Sequence, residues 1–220
     1  MRVRNNNDFE TAELTDLLHP ELEKPISVGL VTTKTSGLFG SDVERIIELI
    51  ELNAGSGMYD LIVTPEYSFF PKTGPLDVEQ RDEYLDRIKS ASKSGVMIIS
   101  NFIWKSEGKM HNTCYVVHNG EEVTSYDKRV DCGDSEIASR YNLKFKNGNK
   151  KGIFEYLGLK CVLEICADRG TSGREGVRDR DLYFLVSCGA STLRSNCIHD
   201  NGYLICVDGH FYGGKVSKNL

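Results

Sequence analysis

Three side chains in this chain carry reactive chemistry and share one kind of position. They are the carboxylate of Glu66, the ammonium of Lys128 and the thiol of Cys166. Each falls just past a segment that reads as strand. A thiolate is a strong nucleophile, but an ordinary cysteine is mostly protonated at neutral pH. To react, it needs a base to take its proton and a group to stabilise the charge it creates. Taken singly, each residue has a plainer reading. Free cysteine is among the most buried residue types, Glu66 alone would be a solvated loop carboxylate, and Lys128 is one of 27 basic residues. Their shared position favours the chemical reading, because sites in open α/β sheets are built at strand ends.

The elements that must position them are readable from hydrophobic pattern and punctuation. Leu159 to Ile165 is apolar and β-branched and breaks into polar, Gly-rich sequence right after Cys166, which predicts a buried strand. Asp60–Pro65 predicts a short buried strand stopped by proline, with Glu66 next. Further strands are predicted at Ile26–Val31, Val96–Trp104, Thr113–Val117, Gly152–Tyr156, Leu182–Ser187 and Leu204–Asp208. Asn119-Gly120 signals a hairpin turn, with Glu122–Tyr126 pairing back and Lys128 just beyond. Asp42–Leu52 reads as an amphipathic helix with Val43, Ile46, Ile47 and Ile50 on one face and Ser41 or Asp42 as cap. Asp77–Ser94 reads as a second, with Tyr84, Leu85 and Ile88 at core spacing. Residues 131–151 read as a polar loop, and 213–220 as a polar, Gly-rich tail. Residues 1–24 form an expected appendage in which Phe9, Leu14, Leu17 and Leu18 would line a short helix. Residues 25–220 form the expected single domain. Strands alternating first with helices and then with hairpins predict an α/β fold with mixed sheets flanked by helices.

Composition narrows the function. The 220 residues are enough for one large domain. The formal charge of −5 argues against a general nucleic-acid or anionic-membrane partner, and no window approaches a membrane span. Met1–Glu10 has no apolar segment of a secretory signal. The seven cysteines are odd in number and spread out, which fits reduced thiols and a cytoplasmic location better than a disulfide framework. Cys188, Cys197 and His199 match no zinc spacing. No metal and no cofactor are expected.

Three short stretches, in chain order, resemble the motifs of the nitrilase, or carbon–nitrogen hydrolase, superfamily. Asp60-Leu61-Ile62-Val63-Thr64-Pro65-Glu66-Tyr67 is similar to its apolar strand ending in Pro-Glu. Asn112-Thr113-Cys114-Tyr115-Val116-Val117, then Gly120, then Tyr126-Asp127-Lys128-Arg129, is similar to its Asn-Thr strand, glycine turn and Tyr-x-Lys. Glu164-Ile165-Cys166-Ala167-Asp168 is similar to its Ile-Cys-x-Asp. The resemblance runs from about Ile26 to Asp208. It implies an α-β-β-α sandwich, here shortened at the C-terminus. It also implies a Glu-Lys-Cys triad, with Glu66 as general base, Lys128 as oxyanion stabiliser and Cys166 as nucleophile. The backbone N–H of Ala167 would be the second oxyanion donor. Glu136 would help orient the lysine and the substrate, Tyr67 would line the pocket, and Asp168 would be structural. The implied reaction is hydrolysis of a small amide or carbamoyl compound, less readily a nitrile, through a thioester. A homodimer is the assembly it suggests.

The pattern also departs from the family. Gly170 stands where an arginine is common, with Arg169 before it. Ser187-Cys188-Gly189-Ala190-Ser191 replaces a proline-containing segment. The chain also stops short of the further strands and dimer segment that members usually carry. Two other readings are therefore carried. One is a catalytically inactive binding or interaction module on the same fold. The other is a Cys-His hydrolase with His199 or His210 as base, which lacks the expected Gly-x-Cys-x-Gly because Glu164 and Asp168 occupy the glycine positions.

Overall fold

The computed structural model describes residues 3–6, 9–17, 24–33, 40–189, 198–209 and 213–218, with side chains described for 24–31, 40–189, 198 and 202–209. Two mixed sheets pack face to face. The first is built from Val3–Asn6 (β1), Phe9–Leu17 (β2), Ile26–Thr33 (β3), Leu61–Val63 (β4), Met97–Ser106 (β5), Lys109–His118 (β6) and Glu121–Asp127 (β7), in that spatial order, with Lys144–Phe145 (β8) beside β6. The second is built from Gly152–Tyr156 (β9), Leu159–Ile165 (β10), Arg180–Ser187 (β11), Ile198–Asp208 (β12) and Gly213–Lys218 (β13), running in order from β9 at one edge to β13 at the other. The helices are Val43–Gly55 (α1), Val78–Ser92 (α2), Asp134–Arg140 (α3) and the single turn Thr171–Arg174 (α4).

Hydrophobic patterning explains the layers. The three residues of β4 are fully buried and lie parallel between β3 and β5, with Leu61 opposite both Val28 and Met97. Side chains of β3, β4 and β5 alternate between two cores. Val28, Leu30, Leu61, Val63, Met97 and Ile99 meet Leu163, Ile165, Phe184 and Ile205 between the sheets. Ile62, Ile98 and Phe102 face the other way, against Ile46, Ile47 and Ile50 of α1 and Leu85 and Ile88 of α2. Each such side chain fully withdrawn from water contributes roughly 1.5–3 kcal/mol.

Both long helices start where their caps predict. Asp42 accepts from the Arg45 N–H at 3.1 Å. Asp77 and Gln80 form a reciprocal capping box at 2.9 and 3.1 Å. Arg87 of α2 bridges Glu51 and Glu44 of α1 at 2.8–2.9 Å. These groups are partly exposed, so the bridge contributes at most about 1 kcal/mol. Asn119 (φ 53°) and Gly120 (φ 85°) close the β6–β7 hairpin with the paired positive φ of a type I′ turn.

Three segments differ from the sequence expectation. Residues 3–6 and 9–17 are strands, not a helix; β1 pairs antiparallel with β2, and β2 antiparallel with β3. Their alternating pattern suits a sheet edge, and long-range pairing overrides the weak helical spacing. The expected loop 131–151 contains α3 and β8. The expected tail contains β13, antiparallel to β12. Leu18, Ala190, Ser191, Cys197 and His210, and the side chains of Phe9, Leu14, Leu17 and His199, lie outside the described residues. Among the described residues no helix is long and apolar enough to cross a membrane.

Candidate active site

The site forms where strand ends of the two sheets meet. Glu66 follows β4 across Thr64-Pro65, Lys128 follows β7 directly, and Cys166 follows β10 directly. Proline has no N–H to continue a ladder, so the chain leaves the sheet at Pro65. The Glu66 backbone N–H then donates to the Ser187 carbonyl at the end of β11, 3.3 Å away, and this joins the two sheets at the site.

Lys128 is 1% exposed and its Nζ sits between two carboxylates. It donates to Glu66 Oε1 and to Asp134 Oδ2, both at 2.8 Å. Asn112, on β6, bridges the same pair: its amide donates to Glu66 Oε1 at 2.9 Å and to Asp134 Oδ1 at 3.0 Å. Asn101, on β5, holds Asn112 by donating to its Oδ1 at 2.7 Å, and accepts from the Tyr67 N–H at 2.7 Å. The Tyr67 hydroxyl donates to Asp134 at 3.2 Å. A buried cation is thus paired with two carboxylates, as a charge withdrawn from water must be paired.

Electrostatics follow from this packing. Burial alone would lower Lys128, but the Glu66 and Asp134 carboxylates outweigh it and hold its pKa above the usual lysine value. Burial pushes Glu66 up; Lys128 pulls it back and Asp134 pushes it further up. The Cys166 thiol is pushed up to about 12, by burial first and then by the negative charge of Glu66. Lys128 acts in the other direction. The resting thiol is therefore neutral, and a base must take its proton as it reacts.

Cys166 has φ 45° and Tyr67 φ 64°, both in the left-handed region that L residues rarely adopt. Such conformations persist only where surrounding bonds impose them. Tyr67 is held through its N–H by Asn101 and through its carbonyl by the Ser41 hydroxyl at 2.7 Å. The Cys166 turn is held by two buried carboxylates. Glu164 accepts from the Gly170 N–H at 2.5 Å, the Ser172 N–H at 2.6 Å and the Tyr183 hydroxyl at 2.5 Å. Asp168 accepts from the Tyr126 hydroxyl at 2.8 Å, the Arg129 N–H at 2.9 Å and the Val130 N–H at 2.6 Å. Asp168 thereby ties the turn carrying Cys166 to the residues flanking Lys128. Gly170 itself has φ 76°, a conformation arginine would adopt only at a cost.

The structure brings Glu66, Lys128, Tyr67, Cys166 and Ala167 to one place. It does not bring Glu136 there. Glu136 lies on the exposed face of α3, and the buried carboxylate beside Lys128 is Asp134. The signal was present in the sequence: Asp134 is in helical phase with Ile137 and Ala138, which pack against Tyr67 and Phe70, whereas Glu136 is not. Substitution separates the two. Asp134→Asn is expected to slow alkylation of Cys166 and lower thermal stability, and Glu136→Gln to change both far less. Parallel iodoacetamide labelling and thermal melts check it.

No protein-family model matches the chain, and no curated protein sequence does. Solved structures do. An amidase from Nesterenkonia sp. superposes with a TM-score of 0.65 at 16% identity, covering 87% of this chain and 82% of that one. A CN-hydrolase superfamily protein from Xanthomonas campestris, XC1258, superposes with a TM-score of 0.65 at 18% identity, covering 89% of this chain and 83% of that one. A glutamine-dependent NAD+ synthetase from Acinetobacter baumannii matches over 86% of this chain and 41% of its own, with a TM-score of 0.63 at 16% identity. The Nesterenkonia sp. AN1 amidase is described as a nitrilase superfamily member. With its two mixed sheets face to face and its reactive side chains at their ends, the chain has the fold of the nitrilase superfamily of carbon–nitrogen hydrolases.

Proposed function

We propose that this protein hydrolyses a non-peptide carbon–nitrogen bond in a small amide or carbamoyl compound through a thioester on Cys166. The observation that carries this reading is the Glu66–Lys128 pair, buried at 2.8 Å, with Glu66 near enough to the half-buried Cys166 thiol to push its pKa up.

In this mechanism Cys166 Sγ attacks the carbonyl carbon while its proton passes to Glu66. The carbonyl oxygen becomes an oxyanion, which accepts from the Lys128 Nζ and the Ala167 N–H. Two of the three lysine N–H groups are directed to Glu66 and Asp134, and the third is assigned to the oxyanion. The C–N bond breaks, the nitrogen takes the proton from Glu66, and ammonia or an amine leaves. Water then gives a proton to Glu66 and adds to the thioester, the C–S bond breaks, and the acid leaves as the thiol regains its proton. Asp134 and Asn112 hold the ammonium and carboxylate in place throughout. The neutral thiol accounts for a base being built into the site rather than a preformed thiolate. Location in the cytoplasm and a homodimer belong to the same reading.

A variant of the Nesterenkonia sp. AN1 amidase carries the acetamide moiety of fluoroacetamide on its active site cysteine. The same compound is a direct probe here. The wild type is expected to gain one acetamide adduct on Cys166 and to release ammonia and acid from members of a small-amide panel. Lack of both would leave the inactive binding-module reading in place. Glu66→Gln has two opposite expected effects. Removing the negative charge moves thiol ionisation below about 12, so the pH profile for simple alkylation shifts toward neutral. Removing the base abolishes amide turnover. A Glu66→Gln variant that keeps wild-type turnover would sink the assignment of Glu66 as base.

A further inference from the structure

Residues Ser187–Gly189, the last residue of β11 and the turn after it, touch both the base and the nucleophile. The Ser187 carbonyl accepts from the Glu66 N–H at 3.3 Å, and the Cys166 thiol donates to the Cys188 carbonyl at 3.9 Å. Beyond β11 the backbone turns, and Gly189 has φ 97°. A turn of this kind needs an outside tether to keep one geometry.

The tether is Asp208, at the end of β12 and 2% exposed. Its Oδ2 accepts from the Ser187 hydroxyl at 2.8 Å and from the Gly189 N–H at 2.7 Å. The two bonds bracket Cys188. The next residue, Gly209, donates its N–H to the Ser187 carbonyl at 3.0 Å. A Cβ on Gly209 would sit 3.3 Å from the Pro65 ring. The end of β12 therefore contacts the segment before Glu66 as well as the segment beside Cys166. A buried carboxylate costs several kcal/mol unless strong acceptor bonds offset it, and here two such bonds hold one three-residue turn.

We propose that Asp208 is a positioning residue for the reaction. It fixes Ser187–Gly189 so that the Cys188 carbonyl faces the thiol and the Cys166 side chain stays aimed at Glu66. This rests on the hydrolase reading above. Cys188 also packs beside Tyr67 and Phe70, so the same tether sets the apolar wall next to the nucleophile. Asparagine at this position keeps an oxygen that can accept both bonds; alanine keeps none.

The test follows fluoroacetamide addition to Cys166 by intact mass, with the maximal rate separated from the half-saturating concentration. In the step followed, an S–C bond forms, the C–F bond breaks, fluoride leaves, and the thiol proton passes to Glu66. Asp208→Ala is expected to lower the maximal rate roughly 10- to 100-fold, the range that small misplacements of reacting groups produce. Asp208→Asn should restore most of the rate, and Ser187→Ala, which removes one bond of the two, should fall between. A folded Asp208→Ala protein with the wild-type rate, or Asp208→Asn as slow as Asp208→Ala, overturns the proposal. If Asp208→Ala does not fold, Ser187→Ala at the wild-type rate overturns it. Absence in the wild type of both the adduct and amide turnover overturns the hydrolase reading itself, and the positioning role with it.

Discussion

Lys128→Met should abolish amide turnover and also cost about 3–5 kcal/mol of stability, the range seen when one partner of a buried ion pair is removed. Methionine fills a similar volume, so the loss is electrostatic rather than a cavity. Without the ammonium, Glu66 and Asp134 face one another with Asn112 as their shared donor. Glu66 would then titrate still further above the ordinary carboxylate range, because burial and the Asp134 charge both favour its neutral form and the opposing Lys128 charge is gone. A group whose folded pKa is raised contributes stability below its unfolded pKa and loses it as pH rises through the folded one. The deficit of Lys128→Met relative to wild type should therefore be largest at neutral pH and shrink toward about pH 4, near the unfolded carboxylate values. Adding Glu66→Gln to Lys128→Met should recover part of the stability and none of the turnover. Denaturant titrations of the two variants at neutral and acid pH check this. A Lys128→Met protein as stable as wild type at neutral pH would contradict the buried-pair account.

Cys166 substitutions should behave in the opposite way, with all chemistry lost and little stability lost. Cys166→Ala removes the attacking atom, so turnover should fall by at least roughly 10,000-fold, and the fluoroacetamide adduct should vanish. The thiol is half-buried, and only its weak contact to the Cys188 carbonyl is removed. Backbone conformation adds a second expectation. At φ 45° an L residue is strained, so Cys166→Gly should equal or exceed Cys166→Ala in stability, by up to about 1 kcal/mol. Turnover surviving in either variant would remove Cys166 as nucleophile. Cys166→Gly clearly less stable than Cys166→Ala would mean that the conformation carries little strain.

Much of the frame was legible because burial on both faces leaves strong patterns. The apolar runs at Leu61–Val63, Met97–Ile103, Leu159–Ile165 and Leu182–Val186 could belong to little else, and Asp42, Asp77 and Asn119-Gly120 mark their own caps and turn. The segments that escaped are those whose structure is supplied by a neighbour. The two N-terminal strands exist by pairing, β2 with β3 and β1 with β2, and β13 by pairing with β12, which no local pattern announces. Helix α3 is seven residues long, too short to be stable alone, and it is held by Ile137 and Ala138 against Tyr67 and Phe70.

For the site, the residue types, their chain order and their places at strand ends were set by the sequence, because a strand's end is a local event and the reagents are side chains. Tertiary structure decided which carboxylate joins Lys128, since only burial separates Asp134 from Glu136 two residues away. It also decided the protonation of the reagents. Cys166 is neutral because burial and the Glu66 charge both disfavour its thiolate, Lys128 is firmly charged because Glu66 and Asp134 outweigh its burial, and no one-dimensional spacing carries those distances. The tether from Asp208 to Ser187 and Gly189 was hidden for the same reason: it joins the ends of two neighbouring strands, and strand ends become neighbours only once the sheet has formed.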